Sequence, residues 1–479
     1  MKEKFSYVKK EDRKKILLLC DDIRMHSGIA TMAREIVVGT SHHFNWVNLG
    51  AAINHPEVGK GFDISAEVNR LNGIEDADVK VLPNNGYGDA MQIRSLIQTE
   101  RPDAIMIFTD PRYWIWLFEI EREIRNQIPL FYLNIWDDYP APLYNKSYYE
   151  SCDLLMAISK QTKNINEIVL GEAAKDKIIK YVPHGINDKH FFPIREGHEN
   201  FGLLQEFRKN MFEGKEYDFV VLFNSRNIRR KSPGDVILSY KLFCDMIGEE
   251  RSKKCALVMH TQAVDENGTD LYAVREALCD DHVNVYFSQN KLDTPQMNLL
   301  YNVADVGLLI TSNEGWGLSL TETMMSGRMI IANVTGGMQD QMRFEHDGKW
   351  IDFTPNFPSN HRGTVKDCGD WAVPVFPSNI SLVGSVPTPY IFDDRCAPED
   401  VAKALCDVYD MSKEERDAKG LLAREWVTSD ESGMSARQMC DNVIDAMNES
   451  FEKFTPRGRF EVHKITDRPK KRITHKLIY

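Results

Sequence analysis

Residues 313–337, reading NEGWGLSLTETMMSGRMIIANVTGG, constrain this chain more than any other stretch. The apolar runs at 306–310 and 329–332 are short and bounded by small or polar residues, the pattern of buried parallel strands. Between them the sequence predicts a glycine loop, in which Gly315 and Gly317 flank Trp316, and a helix that begins near Leu318 and stops at Gly327. A helix opening from a glycine loop presents unpaired backbone N–H groups and the positive end of its dipole, which suits a phosphate. Glu314 precedes this turn and Glu322 lies about one helical turn inside it. A carboxylate repels phosphate, so the pair is better suited to accept hydrogen bonds from hydroxyls, and a nucleotide sugar carries hydroxyls on both sides of its diphosphate.

The run E-G-W-G-L-S-L-T-E, with seven residues between Glu314 and Glu322, resembles the E-x7-E signature of the group 1 (family 4-like) retaining glycosyltransferases of the GT-B fold. The resemblance implies an α/β protein of two Rossmann-like domains facing a cleft, with a C-terminal helix crossing back to the first domain. It implies that Glu314 holds the transferred sugar, that Glu322 holds the ribose, and that Gly315, Trp316, Gly317 and Leu318 form the donor-binding turn. The donor it implies is a nucleotide-diphosphate sugar, with a UDP-sugar as the expectation. The following run SGRMIIAN continues the match.

At 479 residues the chain is too long for one ordinary core and points to two domains. Its 42% hydrophobic and 27% charged residues are those of a soluble globular protein. No apolar run approaches a membrane span, and the opening Met-Lys-Glu-Lys does not resemble a signal peptide. Nine cysteines without a C-x-x-C pair or zinc spacing predict reduced thiols in a cytoplasmic protein, host cytoplasm if the protein is viral. The net charge of −12 conceals a basic tail: residues 455–479 carry +6 and the remainder −18. Such a tail suits nucleic acid, an anionic membrane or docking on the acidic body.

In the first half, short apolar runs at 16–20, 44–49, 79–82, 104–108, 130–135, 154–158 and 178–182 alternate with longer helical or polar stretches, the pattern of a parallel α/β domain. Ligand groups gather past the carboxyl ends of such strands. After the first strand, Ser27 is placed to cap a helix and Gly28 lets the backbone approach a ligand; the site resembles the family's N-terminal glycine motif, with His26-Ser27-Gly28 where many members have paired glycines. His26 reads as a polar loop residue. Past 104–108 come Asp110, Arg112, Tyr113, Trp114 and Trp116; past 130–135 come Trp136, Asp137 and Asp138. Carboxylates mixed with aromatic rings suit a sugar or base acceptor, which makes Asp110, Tyr113, Asp137 and Asp138 the acceptor candidates, while at least one of Trp114 and Trp116 is expected to pack between helix and sheet. The family's His-Asp pair near Trp136-Asp137 lacks its histidine here, so no histidine base is expected there.

The run 181–187, YVPHGIN, resembles the strand end that closes the family's first domain. The expected organisation is a first, acceptor-side domain at 1–187, a linker without clear period at 188–217, a nucleotide-sugar domain at 218–434, a crossover helix at 435–454 and the tail. An apparent insertion at 351–398 holds many of the prolines and has no readable register. The second domain opens with an apolar run at 219–223, followed directly by Arg226, Arg229, Arg230 and Lys231. Arg226 and Lys231 match in spacing the Arg and Lys that the family sets on the donor diphosphate, and fixed cations at a strand end are suited to neutralise a leaving diphosphate. Glu314, Arg226 and Lys231 are therefore the catalytic candidates. Strands are expected at 256–260, 283–287 and 305–310, and the loop 288–292 is placed by the resemblance against the base. Asp76-Ala-Asp78 spells the D-x-D of a different transferase fold but sits in a polar loop before a strand; it reads as accidental, and no metal is expected. Ala436, Met439, Cys440, Val443, Ile444, Met447 and Phe451 keep one helical stripe, which fits the crossover helix.

Three functions remain open from sequence. One is retaining transfer of a hexose or pentose to a glycan or small-molecule hydroxyl. Another is transfer to hydroxymethylated bases in duplex DNA, as phages modify them, with the base flipped out to reach the cleft. The last is nucleotide-sugar binding without turnover.

Overall fold

A computed structural model describes residues 7–52 and 54–458; of the basic tail, everything from Arg459 onward lies outside the described residues. Apolar runs buried on both faces build the first sheet. It comprises β1 (Lys14–Asp21), β2 (Phe44–Ala52), β3 (Phe62–Asp63), β4 (Val79–Asn85), β5 (Ala104–Phe108), β6 (Leu130–Asn134), β7 (Leu154–Ala157) and β8 (Ile178–Tyr181). Their order is β3-β4-β2-β1-β5-β6-β7-β8, parallel except for the short antiparallel β3. In β1, Ile16, Leu18 and Cys20 pack into one apolar layer, and Leu17 and Leu19 into another. A strand with two covered faces has no polar alternation, so its sequence is a continuous apolar run.

The second sheet comprises β9 (Phe219–Asn224), β10 (Cys255–His260), β11 (Val285–Ser288), β12 (Val306–Leu309) and β13 (Met329–Asn333). Beyond the short hairpin of β14 (Glu345–His346) and β15 (Lys349–Trp350), the chain adds β16 (Ala372–Val375) at the sheet's edge. The order is β11-β10-β9-β12-β13-β16, parallel throughout. A last antiparallel hairpin, β17 (Asn379–Ser385) and β18 (Thr388–Arg395), stands outside both sheets.

The helix Ala436–Lys453 starts from a capping box of Ser435 and Gln438 and returns to the first domain. It packs on the helix Gly28–Thr40 so closely that a Cβ on Gly39 would lie 2.4 Å from Cys440 Sγ. Nearby, the Gly185 N–H points at Met439 Sδ, 3.2 Å away. Past that helix, the Arg457 N–H donates to the Arg125 carbonyl at 2.9 Å, so the first residues of the tail run along the first domain.

Two segments differ from the expectation. Residues 188–217 contain a helix, Phe201–Met211, whose only buried residue is Leu204, too little to print a period on the sequence. The segment 351–398 holds β16, β17 and β18, whose faces are mixed in burial and so lack strict alternation.

Candidate functional site

The carboxyl ends of both sheets face one cleft of about 710 Å³. Ser27 caps the helix Gly28–Thr40 by accepting from the Ala30 N–H at 3.0 Å, and a Cβ on Gly28 would lie 3.6 Å from Leu318 at the start of the helix Leu318–Met325. Two helix N-termini thus converge on the cleft, one from each domain. Gly317 holds φ +87°, a left-handed conformation open to glycine at little cost, and from it the second helix begins.

The loop before that helix is seated on glycine at both sides. A Cβ on Gly336, at φ +53°, would fall 1.9 Å from the Glu314 carbonyl oxygen, and the Gly337 N–H donates to that same oxygen at 3.1 Å. Trp316 is buried beneath the cleft floor; its indole N–H donates to Thr321 Oγ1 at 2.9 Å and its carbonyl accepts from Gln341 Nε2 at 2.6 Å. It fixes the loop whose neighbouring glycines, Gly315 and Gly317, line the cleft.

Glu314 and Lys231, each with 12% of its side chain exposed, form a salt bridge in the cleft. Arg230 stands at the rim, donating to the Asn313 carbonyl at 2.7 Å and lying 3.4 Å from Glu314. Burial pushes the Glu314 carboxyl up, but Lys231 and then Arg230 outweigh it and hold it below the ordinary range. Burial holds Lys231 below its ordinary value, with Glu314 opposing. Glu322 lines the same cleft, one turn into its helix, and accepts from the Tyr301 hydroxyl, which itself accepts from Asn224 Nδ2 at 2.6 Å. Burial without a cation pushes Glu322 up to about 7.

The opposite wall is acidic. Asp137 lines the cleft and is pushed up to about 6 by burial, against the pull of Arg230. Asp138 is raised further, by burial and then by the Asp137 charge, and accepts from Asn313 Nδ2. Asp394, behind them, is raised to about 6 by burial while Thr335 donates to it at 2.7 Å. His184 is buried in the cleft wall edge-on to Trp316; burial pushes its imidazole down to about 3, which keeps it neutral, and its Nδ1 has no partner among the described residues.

Not every sequence candidate joins this group. Arg226 points away to Asp265 at 3.0 Å, 64% exposed, and is not among the residues lining the cleft, where Arg229 and Arg230 stand instead. Asp110 is closed by its own Arg112, whose Nε donates at 2.8 Å, and Tyr113 stacks on Tyr87 at 4.5 Å; neither lines the cleft. Trp114 is fully buried, as one of that pair was expected to be. The loop after β11 borders a neighbouring hollow of about 380 Å³ together with His26, His260 and Gln262. Asp76 is held by Arg13 at 2.5 Å and by the Lys10 N–H at 3.1 Å, and Asp78 pairs with Lys10 at 3.4 Å. Arg230, Tyr301, His184 and the Gly336-Gly337 pair belong to the site without being candidates from sequence, as does Asp393, which also lines the cleft. Only the basic cluster and the paired glycines left a signal for them.

Neither a family model nor a curated protein sequence matches the chain. Solved structures do. HepE of Anabaena, in complex with UDP and glucose, superposes with a TM-score of 0.59 over 91% of this chain and 100% of its own at 12% identity. Sucrose-phosphate synthase of Thermosynechococcus elongatus gives 0.61 over 92% and 100% at 13% identity. The α,α-trehalose 6-phosphate synthase of Burkholderia multivorans gives 0.58 over 91% and 98% at 10% identity. The fold is that of the GT-B glycosyltransferases. Its second domain carries the glycine loop and its last helix returns to the first. Among the described residues no helix is long and apolar enough to cross a membrane.

Proposed function

We propose that the protein is a retaining glycosyltransferase that moves a sugar from a nucleoside-diphosphate sugar to a hydroxyl of a glycan or small molecule. The observation that carries this reading is the Lys231–Glu314 pair, with Arg230 beside it, set against a helix N-terminus that opens from Gly317. HepE, a protein of the same fold, binds UDP and UDP-glucose, which supports a UDP-sugar as donor.

On this reading the diphosphate lies over the N–H groups at Gly317 and Leu318, and the ribose hydroxyls bond to Glu322. Lys231 and Arg230 take up negative charge as the bond from the anomeric carbon to the diphosphate oxygen breaks. The acceptor oxygen bonds to the anomeric carbon from the same face, and its proton passes to the departing diphosphate oxygen. Glu314 is a poor base, because Lys231 and Arg230 stabilise its anion; it orients the sugar. Asp137, raised toward neutrality on the facing wall, is the better placed group to bond an acceptor hydroxyl.

The test is donor-dependent transfer. Binding of nucleoside diphosphates is first measured by thermal shift, and mass gain is then followed on glycans, small sugars, a hydroxymethylcytosine duplex and its unmodified twin. Gain on a glycan or small sugar is the expected result. Gain confined to the hydroxymethylated duplex moves the acceptor to DNA, and nucleotide binding with no transfer or donor hydrolysis contradicts an enzyme.

A further inference from the structure

The hairpin β17–β18 belongs to the segment that the family resemblance leaves unexplained. Its base is tied to the second domain: the Asp394 N–H donates to the Ser312 carbonyl at 3.0 Å, and Asn333 Nδ2 to the Asp394 carbonyl at 2.7 Å. Its middle is tied to the first: the Phe392 N–H donates to the Tyr139 carbonyl at 2.6 Å, and the Tyr144 hydroxyl to the Tyr390 carbonyl at 3.1 Å. The rings of Tyr144 and Tyr390 meet edge to face at 5.0 Å. Alternation along β18 then sorts its side chains. Ile391 and Asp393 line the main cleft, whereas Phe392 and Asp394 turn to the small space behind Asp137 and Asp138. Ile391 also packs on the apolar cluster of the first domain.

We infer that this hairpin is the acceptor-side wall of the cleft, in which Ile391 excludes water from the anomeric carbon and offers an apolar contact to the acceptor. The inference rests on the glycosyl-transfer reading above. A strand that crosses from one domain to the other beside Glu314 and Asp137 covers the place where an acceptor hydroxyl must arrive. Removing an apolar cover admits water, which competes with the acceptor for the same carbon. In that side reaction the carbon–oxygen bond to the diphosphate breaks, water oxygen bonds to the carbon, and a water proton is released as nucleoside diphosphate departs.

The experiment needs no acceptor. Release of nucleoside diphosphate from UDP-glucose, with ADP-glucose and GDP-glucose in parallel, is measured for the parent, for Ile391→Ser and for Tyr390→Ala. The second variant loosens the hairpin from Tyr144 without altering a residue that lines the cleft. Both are expected to raise hydrolysis about fivefold, with nucleotide affinity within about twofold of the parent, whereas a merely structural role lowers the rate. Hydrolysis at or below the parent's in both variants, with nucleotide binding retained, overturns this inference alone. A parent that binds none of the three nucleotides overturns the transfer reading and this inference with it.

Discussion

The two walls of the cleft bury carboxylates in opposite ways. On the second-domain wall Glu314 has Lys231 and Arg230 beside it and is held ionised; on the first-domain wall Asp137 and Asp138 lie side by side and are pushed toward their protonated forms. Glu322, on the second-domain side but without a cation, goes the way of the aspartates: buried with a neutral tyrosine as its partner, it is raised to about 7. Burial raises every one of these carboxyls, and only Glu314, where Lys231 and Arg230 together outweigh it, stays below the ordinary range. The difference fits a division of labour, in which the cationic wall meets a charged leaving group and the acidic wall meets neutral hydroxyls.

Removing the cation should break this contrast most severely. Lys231→Ala leaves Glu314 with only the rim arginine, and turnover should fall by about 100-fold or more, the scale of losing one preorganised charge partner in the transition state. Kinetics on the transferred sugar check this. The contrast sharpens between neighbours in one cluster: Arg230→Ala should cost about tenfold in turnover, while Arg226→Ala, an exposed partner of Asp265, should cost about twofold or less. Equal losses would show that the chain moves Arg226 into the cleft on donor binding.

Glu322→Ala should weaken nucleotide binding about tenfold, the scale of hydrogen bonds to a charged group. With its carboxyl near 7, the accepting anion is lost as pH falls through that value, so the affinity of the parent should drop between pH 8 and 6. Glu322→Gln should flatten the part of that dependence not owed to the nucleotide's own phosphate, as titration calorimetry over this range would measure. The smallest effect is on stability. A carboxyl raised on folding stabilises the fold below its unfolded value near 4, and that contribution is lost as pH rises through about 6 for Asp137. Asp137→Asn should therefore raise the melting temperature at pH 8 by about 2 °C, with little gain at pH 4.

Much of the fold was legible because its strands are covered on both faces. The apolar runs at 16–20, 104–108 and 329–332 fall inside β1, β5 and β13, and Gly317 begins its helix where the loop was expected to end. The chain's own turns were not legible. A short 3₁₀ turn at Arg229–Lys231 and a left-handed Ser232 lead from β9 into the next helix, and the cleft receives Arg229, Arg230 and Lys231 rather than Arg226, a result spacing alone does not encode. Tyr301, which completes the Glu322 site, comes from a helix 21 residues upstream and has no local pattern around it. The hairpin β17–β18 was hidden for a different reason: half-covered by the other domain, its two faces differ too little in burial for polar and apolar residues to alternate along the sequence.

The measurement that bears most directly on the two-walled cleft is a crystal structure with UDP bound. The account predicts the diphosphate over the N–H groups at Gly317 and Leu318, with its terminal phosphate on Lys231 and Arg230 and the ribose on Glu322. A nucleotide that binds elsewhere, or that lies in the cleft with its ribose on the Asp137 wall, would contradict it.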